Sequence, residues 1–129
     1  MAIPSGGGSE VLKRTSLIST SSGWSQLAWN SAQADQGNTS NSEVLANHIH
    51  TILTITICNT NSAARTVGFV WRTTGETDIA MLDYHTSLQG YGTFTWNDKF
   101  VCHPTDKITC YNSAADVCWH VSFIDQDWS

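Results

Sequence analysis

Two of the five histidines in this chain have a spacing that could serve a metal ion. His48 and His50 are two positions apart, so on a β-strand both side chains would point to the same face. The four residues that follow, Thr51 to Thr54, contain no carboxylate to complete a ligand set. We therefore interpret the histidines as structural or interface residues, and we expect no metal site and no cofactor. The full set is His48, His50, His85, His103 and His120.

Residues that could support nucleophilic or acid–base catalysis are present without a matching motif. No serine lies in a Gly-x-Ser-x-Gly turn, and no glycine-rich phosphate loop occurs. Asp106 and Asp116 could pair, as could Asp125 and Asp127, but their positions at strand ends and turns suit turn formation and solubility. These patterns predict a protein that is not an enzyme.

The aromatic residues offer a binding chemistry instead. Trp71 and Trp119 alternate in register with apolar neighbours, which predicts core positions. Trp24 and Trp29 lie in a polar segment, and Tyr91 lies in a glycine-flanked turn. Loop aromatics can stack on sugar rings, so a carbohydrate-binding β-sandwich is the alternative function that these residues allow.

Both ends of the chain suggest contacts with other subunits. Residues 1–9 include Gly6, Gly7 and Gly8, and such a stretch has too much backbone freedom to hold one conformation alone. We expect a flexible N-terminal arm, which either frays or becomes ordered against a partner chain. Trp128, in an acidic terminal segment, is a candidate intersubunit anchor. The interface candidates are therefore Gly6, Gly7, Gly8, Trp24, Trp29 and Trp128.

The four cysteines fall inside predicted strands. None forms a Cys-x-x-Cys pair, which argues against a zinc knuckle. Cys110 is in phase with the apolar face of its strand, whereas Cys118 and Cys58 are out of phase with theirs. A Cys110–Cys118 bridge is thereby disfavoured. We predict four free thiols, with Cys110 the best buried. The cysteines are Cys58, Cys102, Cys110 and Cys118.

The elements that position these residues are predicted to be β-strands. Alternation is clearest at 49–58, where Ile49, Thr51, Leu53, Ile55 and Ile57 would share one apolar face. Turn residues recur every 8 to 12 positions between short alternating runs, which is typical of a sandwich or barrel. The predicted strands are Glu10–Thr20, Ile49–Cys58, Thr66–Arg72, Asp78–His85, Thr93–Trp96, Lys99–Cys102, Lys107–Tyr111 and Val117–Ile124.

These patterns predict an all-β protein. The fold would be an antiparallel β-sandwich of about eight strands, jelly-roll-like or immunoglobulin-like. We expect a single domain over residues 10–129, with residues 21–42 as a polar loop insert.

Composition excludes several functions. The net charge of −5 argues against binding to a nucleic-acid backbone. No segment approaches the roughly 20 apolar residues of a membrane helix, and the N-terminus lacks the apolar centre of a signal peptide. We therefore expect no nucleic-acid partner and no membrane partner.

Several segments resemble small virion proteins encoded by tailed bacteriophages. They are Gly8-Ser-Glu-Val-Leu-Lys-Arg14, Ala46-Asn-His-Ile-His-Thr-Ile-Leu53, Ile57-Cys-Asn-Thr60, Ala114-Ala-Asp-Val117 and Val121-Ser-Phe-Ile-Asp-Gln-Asp-Trp128. The resemblance covers most of the chain except residues 21–42, and it carries no catalytic residues.

The resemblance implies a short β-sandwich that decorates the capsid as a cement protein or belongs to the tail. It also implies a homo-oligomer, a trimer, with the major capsid protein or tail components as partners. Such a protein is located in the virion after synthesis in the bacterial host cytoplasm.

Overall fold

The computed structural model describes residues 9–29, 34–35, 42–73, 75 and 77–127. They form ten strands and no helix, so no helix in this part of the chain could span a membrane. The strands are β1 (Ser9–Ile18), β2 (Gly23–Gln26), β3 (Ala34–Asp35), β4 (His48–Asn59), β5 (Arg65–Arg72), β6 (Asp78–Leu88), β7 (Thr93–Trp96), β8 (Phe100–Cys102), β9 (Lys107–Asn112) and β10 (Val117–Asp127).

The strands pair into two sheets, and the prediction of an all-β antiparallel sandwich is confirmed. The large sheet has the order β3-β1-β10-β4-β7, and β8 also pairs with β4. The small sheet has the order β2-β9-β5-β6. All pairs are antiparallel except the two-residue contact between β1 and β3.

The eight predicted strands are all present, within a few residues at each end. The other two, β2 and β3, lie inside the segment that the sequence predicts as a polar loop. Strand β2 reads Gly-Trp-Ser-Gln and has no apolar alternation to reveal it. It forms because its backbone pairs with β9 at the edge of the small sheet.

The core lies between the two sheets. β10 contributes Val121, Phe123 and Trp119, which is the largest fully buried side chain among the described residues. Burying such an apolar side chain contributes about 1.5–3 kcal/mol to folding. The predicted core role of Trp119 is confirmed, and Trp71 packs against the same cluster while remaining partly exposed. The other buried apolar residues include Leu17, Leu27, Ile52, Ile55, Ile57, Val67, Phe69, Ile108 and Cys110.

A bulge in β4 changes which side chains face the core. Val121 and Ser122 of β10 pair with Ile55 and Thr54, but Phe123 pairs with Ile52, so Leu53 is an extra residue. An extra residue reverses the alternation of a strand. The prediction that Ile49, Thr51 and Leu53 share the buried face with Ile55 and Ile57 is therefore wrong. Beyond the bulge, His50 and Ile52 take the buried positions instead.

Candidate functional site

The outer face of the large sheet is lined mainly by hydroxyl and aliphatic side chains. The partly exposed Thr54 and Thr56 lie at its centre on β4, flanked by Ser122 and His120 of β10. Thr95 of β7 lies opposite Thr56, and Val101 of β8 lies opposite Thr51. We refer to the outward positions of β4, β7, β8 and β10 as the threonine face. They are Ile49, Thr51, Thr54, Thr56, Cys58, Thr93, Thr95, Val101, Cys118, His120, Ser122, Ile124 and Gln126.

The threonine face contains no Asp, Glu, Lys or Arg at those thirteen positions, all of which the structure describes. The whole chain has 17 such residues, 6 basic and 11 acidic. Charge is found along the rim, at Glu10 and Arg14 of β1. These positions are therefore nearly uncharged and mix hydroxyl and aliphatic groups. Such a surface can pack against another protein without desolvating charges.

A second cluster lies at the end of the sandwich where His50 turns inward. Asp125 of β10 pairs in register with His50 of β4, and both are buried. Asp125 Oδ1 lies 2.7 Å from His48 Nδ1 and 3.3 Å from His50 Nε2. Lys13 Nζ donates to Asp125 Oδ2 at 2.7 Å. We refer to His48, His50 and Asp125 as the histidine–aspartate cluster.

Electrostatics in this cluster favour a neutral His50 and an ionised Asp125. Burial lowers the pKa of His50 from its usual 6.5 to about 4, although the carboxylate of Asp125 acts in the opposite direction. Burial alone would raise the pKa of Asp125, but the hydrogen bonds from Lys13 and His48 outweigh it and lower that pKa. Trp29 packs edge-on against the His50 ring, with ring centroids 4.7 Å apart.

The outer face of the small sheet carries a cleft of about 590 Å³. Trp24 forms one wall and contacts two tyrosines, with centroid distances of 5.1 Å to Tyr111 and 5.9 Å to Tyr84. Opposite, Arg72 binds Asp78 through two hydrogen bonds, of 2.6 and 3.0 Å. We refer to this feature as the aromatic cleft; Gln26, Leu82 and Asp83 also line it.

Gly68 allows β6 to approach β5 closely beside the aromatic cleft. Val67 pairs with Thr86 of β6 and Phe69 pairs with Leu82, so three residues of β6 are accommodated opposite Gly68. A Cβ at position 68 would lie 2.5 Å from the Cα of Tyr84 and 2.6 Å from the carbonyl oxygen of Leu82. This close approach is possible only without a side chain at position 68, and it brings Tyr84 towards Trp24 and Tyr111.

The structure separates the predicted site residues. Trp24 is 46% exposed at the aromatic cleft, whereas Trp29 is 2% exposed and belongs to the core. The prediction that Trp29 could join an exposed platform is therefore wrong, because residues 27–29 turn inward after β2 and fill the sandwich. Tyr91 is 72% exposed in the turn after β6, while the rings that contact Trp24 are those of Tyr84 and Tyr111. Gly6, Gly7, Gly8 and Trp128 lie outside the described residues.

The prediction that Asp125 serves turn formation and solubility is wrong, because the structure buries it within β10. Tyr84 and Tyr111 were not predicted as site residues. Asp125 could have been found, because Val121, Phe123 and Asp125 alternate in one phase and the first two are apolar. Tyr84 has no comparable signal, since it reaches the cleft through a bulge.

The cysteines follow the predicted phases. Cys110 is fully buried, and so is Cys102, while Cys58 and Cys118 are half-buried on the threonine face. Cys58 and Cys118 lie opposite each other in the β4–β10 pair. All four are free thiols in the structure.

No family model and no curated protein sequence matches this chain. Among solved structures, the chain is similar to one chain of the acidic stable capsid of Helicobacter pylori bacteriophage KHP30. The identity is 11% and the TM-score is 0.44, over 95% of this chain and 94% of the other.

Proposed function

We propose that the protein is a non-enzymatic structural component of a phage virion, and that it decorates the head shell as an oligomeric cement protein. The resemblance of its sequence to small virion proteins of tailed phages motivates the proposal. The threonine face is the single structural observation that supports it best.

The threonine face suits a permanent contact with another protein. A decoration protein must remain soluble before assembly and then form many contacts with a repetitive shell. Hydroxyl groups that face outward from a strand are hydrogen-bonded to water before docking. After docking they can form hydrogen bonds to the partner protein or to water held in the interface. The aliphatic residues among them, such as Ile124 and Val101, provide apolar area. In this proposal the threonine face packs on the head shell, and the charged rim remains in solvent.

The trimeric state is part of the proposal and follows from the resemblance alone. The N-terminal residues with Gly6, Gly7 and Gly8, together with Trp128, are proposed to contact neighbouring subunits. Light scattering on the purified chain, with and without residues 1–9, tests this part. We expect an oligomer for the full chain and a smaller species after truncation; a monomer in both cases would refute it.

A charge placed in the threonine face tests the docking surface. Thr56→Glu puts a carboxylate at its centre, and a buried unpaired charge is strongly unfavourable. Ser87→Glu on the exposed part of β6 is the matched control, since it adds the same charge to the other sheet. Each purified variant is mixed with expanded heads that lack the protein, and the bound fraction is measured after sedimentation. We expect Ser87→Glu to bind as the unmodified chain does and Thr56→Glu to remain in the supernatant. Equal binding of both variants would refute the proposal.

The aromatic cleft supports a second candidate function, the binding of carbohydrate. Trp24 provides a half-exposed ring face, and the Arg72–Asp78 pair with Gln26 provides hydrogen-bonding groups next to it. An apolar ring beside a few fixed polar groups is the usual composition of a sugar site. Glycan-array binding that disappears in Trp24→Ala and persists in Tyr91→Ala, with both variants folded, would establish this function. An array with no binding by the unmodified chain would dismiss it.

A further inference from the structure

Three potential metal ligands converge at the end of the large sheet. His48 and His50 are on one strand, two residues apart, and Asp125 is on the neighbouring strand β10. Their ligand atoms all lie within 4.8 Å of one another. Two imidazole nitrogens with one carboxylate oxygen are a donor set that suits Zn²⁺ and similar transition metals.

Hydrogen bonds between the protein groups leave this cluster incompletely satisfied. His48 Nδ1 and His50 Nε2 are both directed at the same oxygen, Asp125 Oδ1. The side chain of His50 is 97% buried, yet its Nδ1 has no hydrogen-bond partner among the described residues. Burying a polar ring whose nitrogens make only one polar contact, of 3.3 Å, is energetically unfavourable. An ion at the point where the three ligand atoms converge would replace the 3.3 Å contact of Nε2 with a strong bond, and the proton of His50 would then lie on Nδ1, which has no acceptor among the described residues.

Two of the three ligand separations suit an ion after a small adjustment, whereas the ligand atoms of His48 and His50 must also move closer together, since the group spans up to 4.8 Å. Two ligands at about 2.0–2.1 Å from a tetrahedral zinc lie roughly 3.3–3.4 Å apart. The separation of His50 Nε2 from Asp125 Oδ1, 3.3 Å, already has this value. His48 Nδ1 lies 2.7 Å from the same oxygen and must retreat by about 0.6 Å. His48 is the most exposed of the three residues and has room to do so.

The surroundings also support a metal-bound state. The other nitrogen of His48, Nε2, lies 3.6 Å from Asp127 Oδ1. A carboxylate in that position can accept the Nε2 proton, so that the Nδ1 lone pair is available to the ion. Lys13 opposes binding, because its ammonium group lies 2.7 Å from Asp125 Oδ2. Its side chain is 41% exposed and can swing into solvent.

We propose that the histidine–aspartate cluster is a binding site for a divalent transition metal, of the Zn²⁺ class, with His48 Nδ1, His50 Nε2 and Asp125 Oδ1 as ligands. Water completes the coordination, and Asp127 orients His48. The site is nearly closed and lies apart from the aromatic cleft, so the ion has a structural role: it fastens β4 to β10. This inference does not depend on the proposed virion function.

Calorimetric titration of the untagged full chain with Zn²⁺, after treatment with a chelator, tests the site. We expect one ion per chain and a higher melting temperature in its presence. The absorption spectrum of the Co²⁺ form provides a second readout, since tetrahedral coordination gives intense visible bands. His48→Ala and Asp125→Asn should each abolish stoichiometric binding. His120→Ala, on the outer face of β10, is the matched control and should bind normally.

Two further variants distinguish a metal site from a hydrogen-bonded cluster. Asp127→Asn should weaken Zn²⁺ binding by about tenfold without preventing it. Lys13→Met should tighten Zn²⁺ binding by about fivefold or more, because a competing cation is removed. A purely structural salt bridge predicts no gain from that change. Failure of the unmodified chain to bind Zn²⁺ at one equivalent, or binding that survives in His48→Ala and Asp125→Asn, would overturn the proposal.

Discussion

The buried imidazole of His50 should make the fold sensitive to acid in a defined pH range. The unfolded chain takes up a proton at this residue near pH 6.5, whereas the folded chain resists protonation until about pH 4. Between these values the unfolded state binds more protons, so the free energy of unfolding falls as the pH falls. A displacement of the pKa from 6.5 to about 4 corresponds to roughly 3 kcal/mol. About 2.5 kcal/mol of this should be lost between pH 7 and pH 4.5.

The groups that face His50 extend the effect to lower pH. Asp125 has a lowered pKa, so its contribution is complete above its unfolded pKa of about 3.8 and is lost as the pH falls through its folded pKa. Its contribution therefore disappears only below the window in which His50 acts. Lys13 on β1 and His48 on β4 are the other titratable groups that contact Asp125.

Urea unfolding at pH 7 and pH 4.5, with a chelator present and tryptophan fluorescence as the signal, measures the loss directly. His50→Gln removes the titrating group, so its free energy of unfolding should change by less than about 1 kcal/mol between the two pH values. His120→Gln, an exposed histidine on β10, should retain the full loss. Each variant is compared with itself, so any general destabilisation by the substitution cancels. If His50→Gln loses as much stability as the unmodified chain, the assignment of acid sensitivity to His50 is refuted.

Three further perturbations probe other parts of the fold. Gly68→Ala should destabilise the chain by about 2–3 kcal/mol, because its Cβ would meet the backbone of β6. Gly75→Ala has nothing within 4 Å of its Cβ and should cost only the strain of an alanine at φ +91°, about 1–2 kcal/mol, in urea unfolding. Equal effects would contradict this explanation. A thiol reagent should modify the half-buried Cys58 and Cys118 in the native protein and spare Cys102 and Cys110. Burial raises the pKa of the two buried thiols far above the usual value, so they are not ionised. Rapid labelling of Cys110 would be inconsistent with the sandwich core. Asn59→Ala should lower the free energy of unfolding by about 3 kcal/mol, because the buried amide donates hydrogen bonds to the carbonyls of Ala63, Leu88 and Gln89. If urea unfolding shows no greater loss than for Asn61→Ala, at a partly exposed position, these bonds contribute little.

The strands could be predicted from the sequence because alternation and turn residues are local signals. Eight strands were found in this way, and the phase of Trp119, Val121 and Phe123 correctly identified the inner face of β10. Strand β2 could not be predicted, because its four residues include one aromatic residue and show no alternation of apolar and polar side chains. Its pairing with β9 depends on a partner more than 80 residues away in the chain, as the register of Trp24 with Tyr111 shows.

The candidate sites were less predictable because bulges create them. An extra residue at Leu53 reverses the phase of β4 and turns His50 into the core beside Asp125. The extra residues of β6 opposite Gly68 bring Tyr84 to Trp24. A bulge has no periodic signature in one sequence, so reasoning from period two placed His50 on the wrong face. The burial of Trp29 likewise depends on tertiary packing against His50 and Phe123.

The number of copies per virion tests the proposed role of this protein most directly. Quantitative mass spectrometry of purified particles, calibrated against the major capsid protein, gives this number. A protein that decorates the head shell should be present in hundreds of copies and should be released with the heads when heads and tails are separated. About a dozen copies that remain with the tail, or absence from the particle, would contradict the proposal that the protein decorates the head.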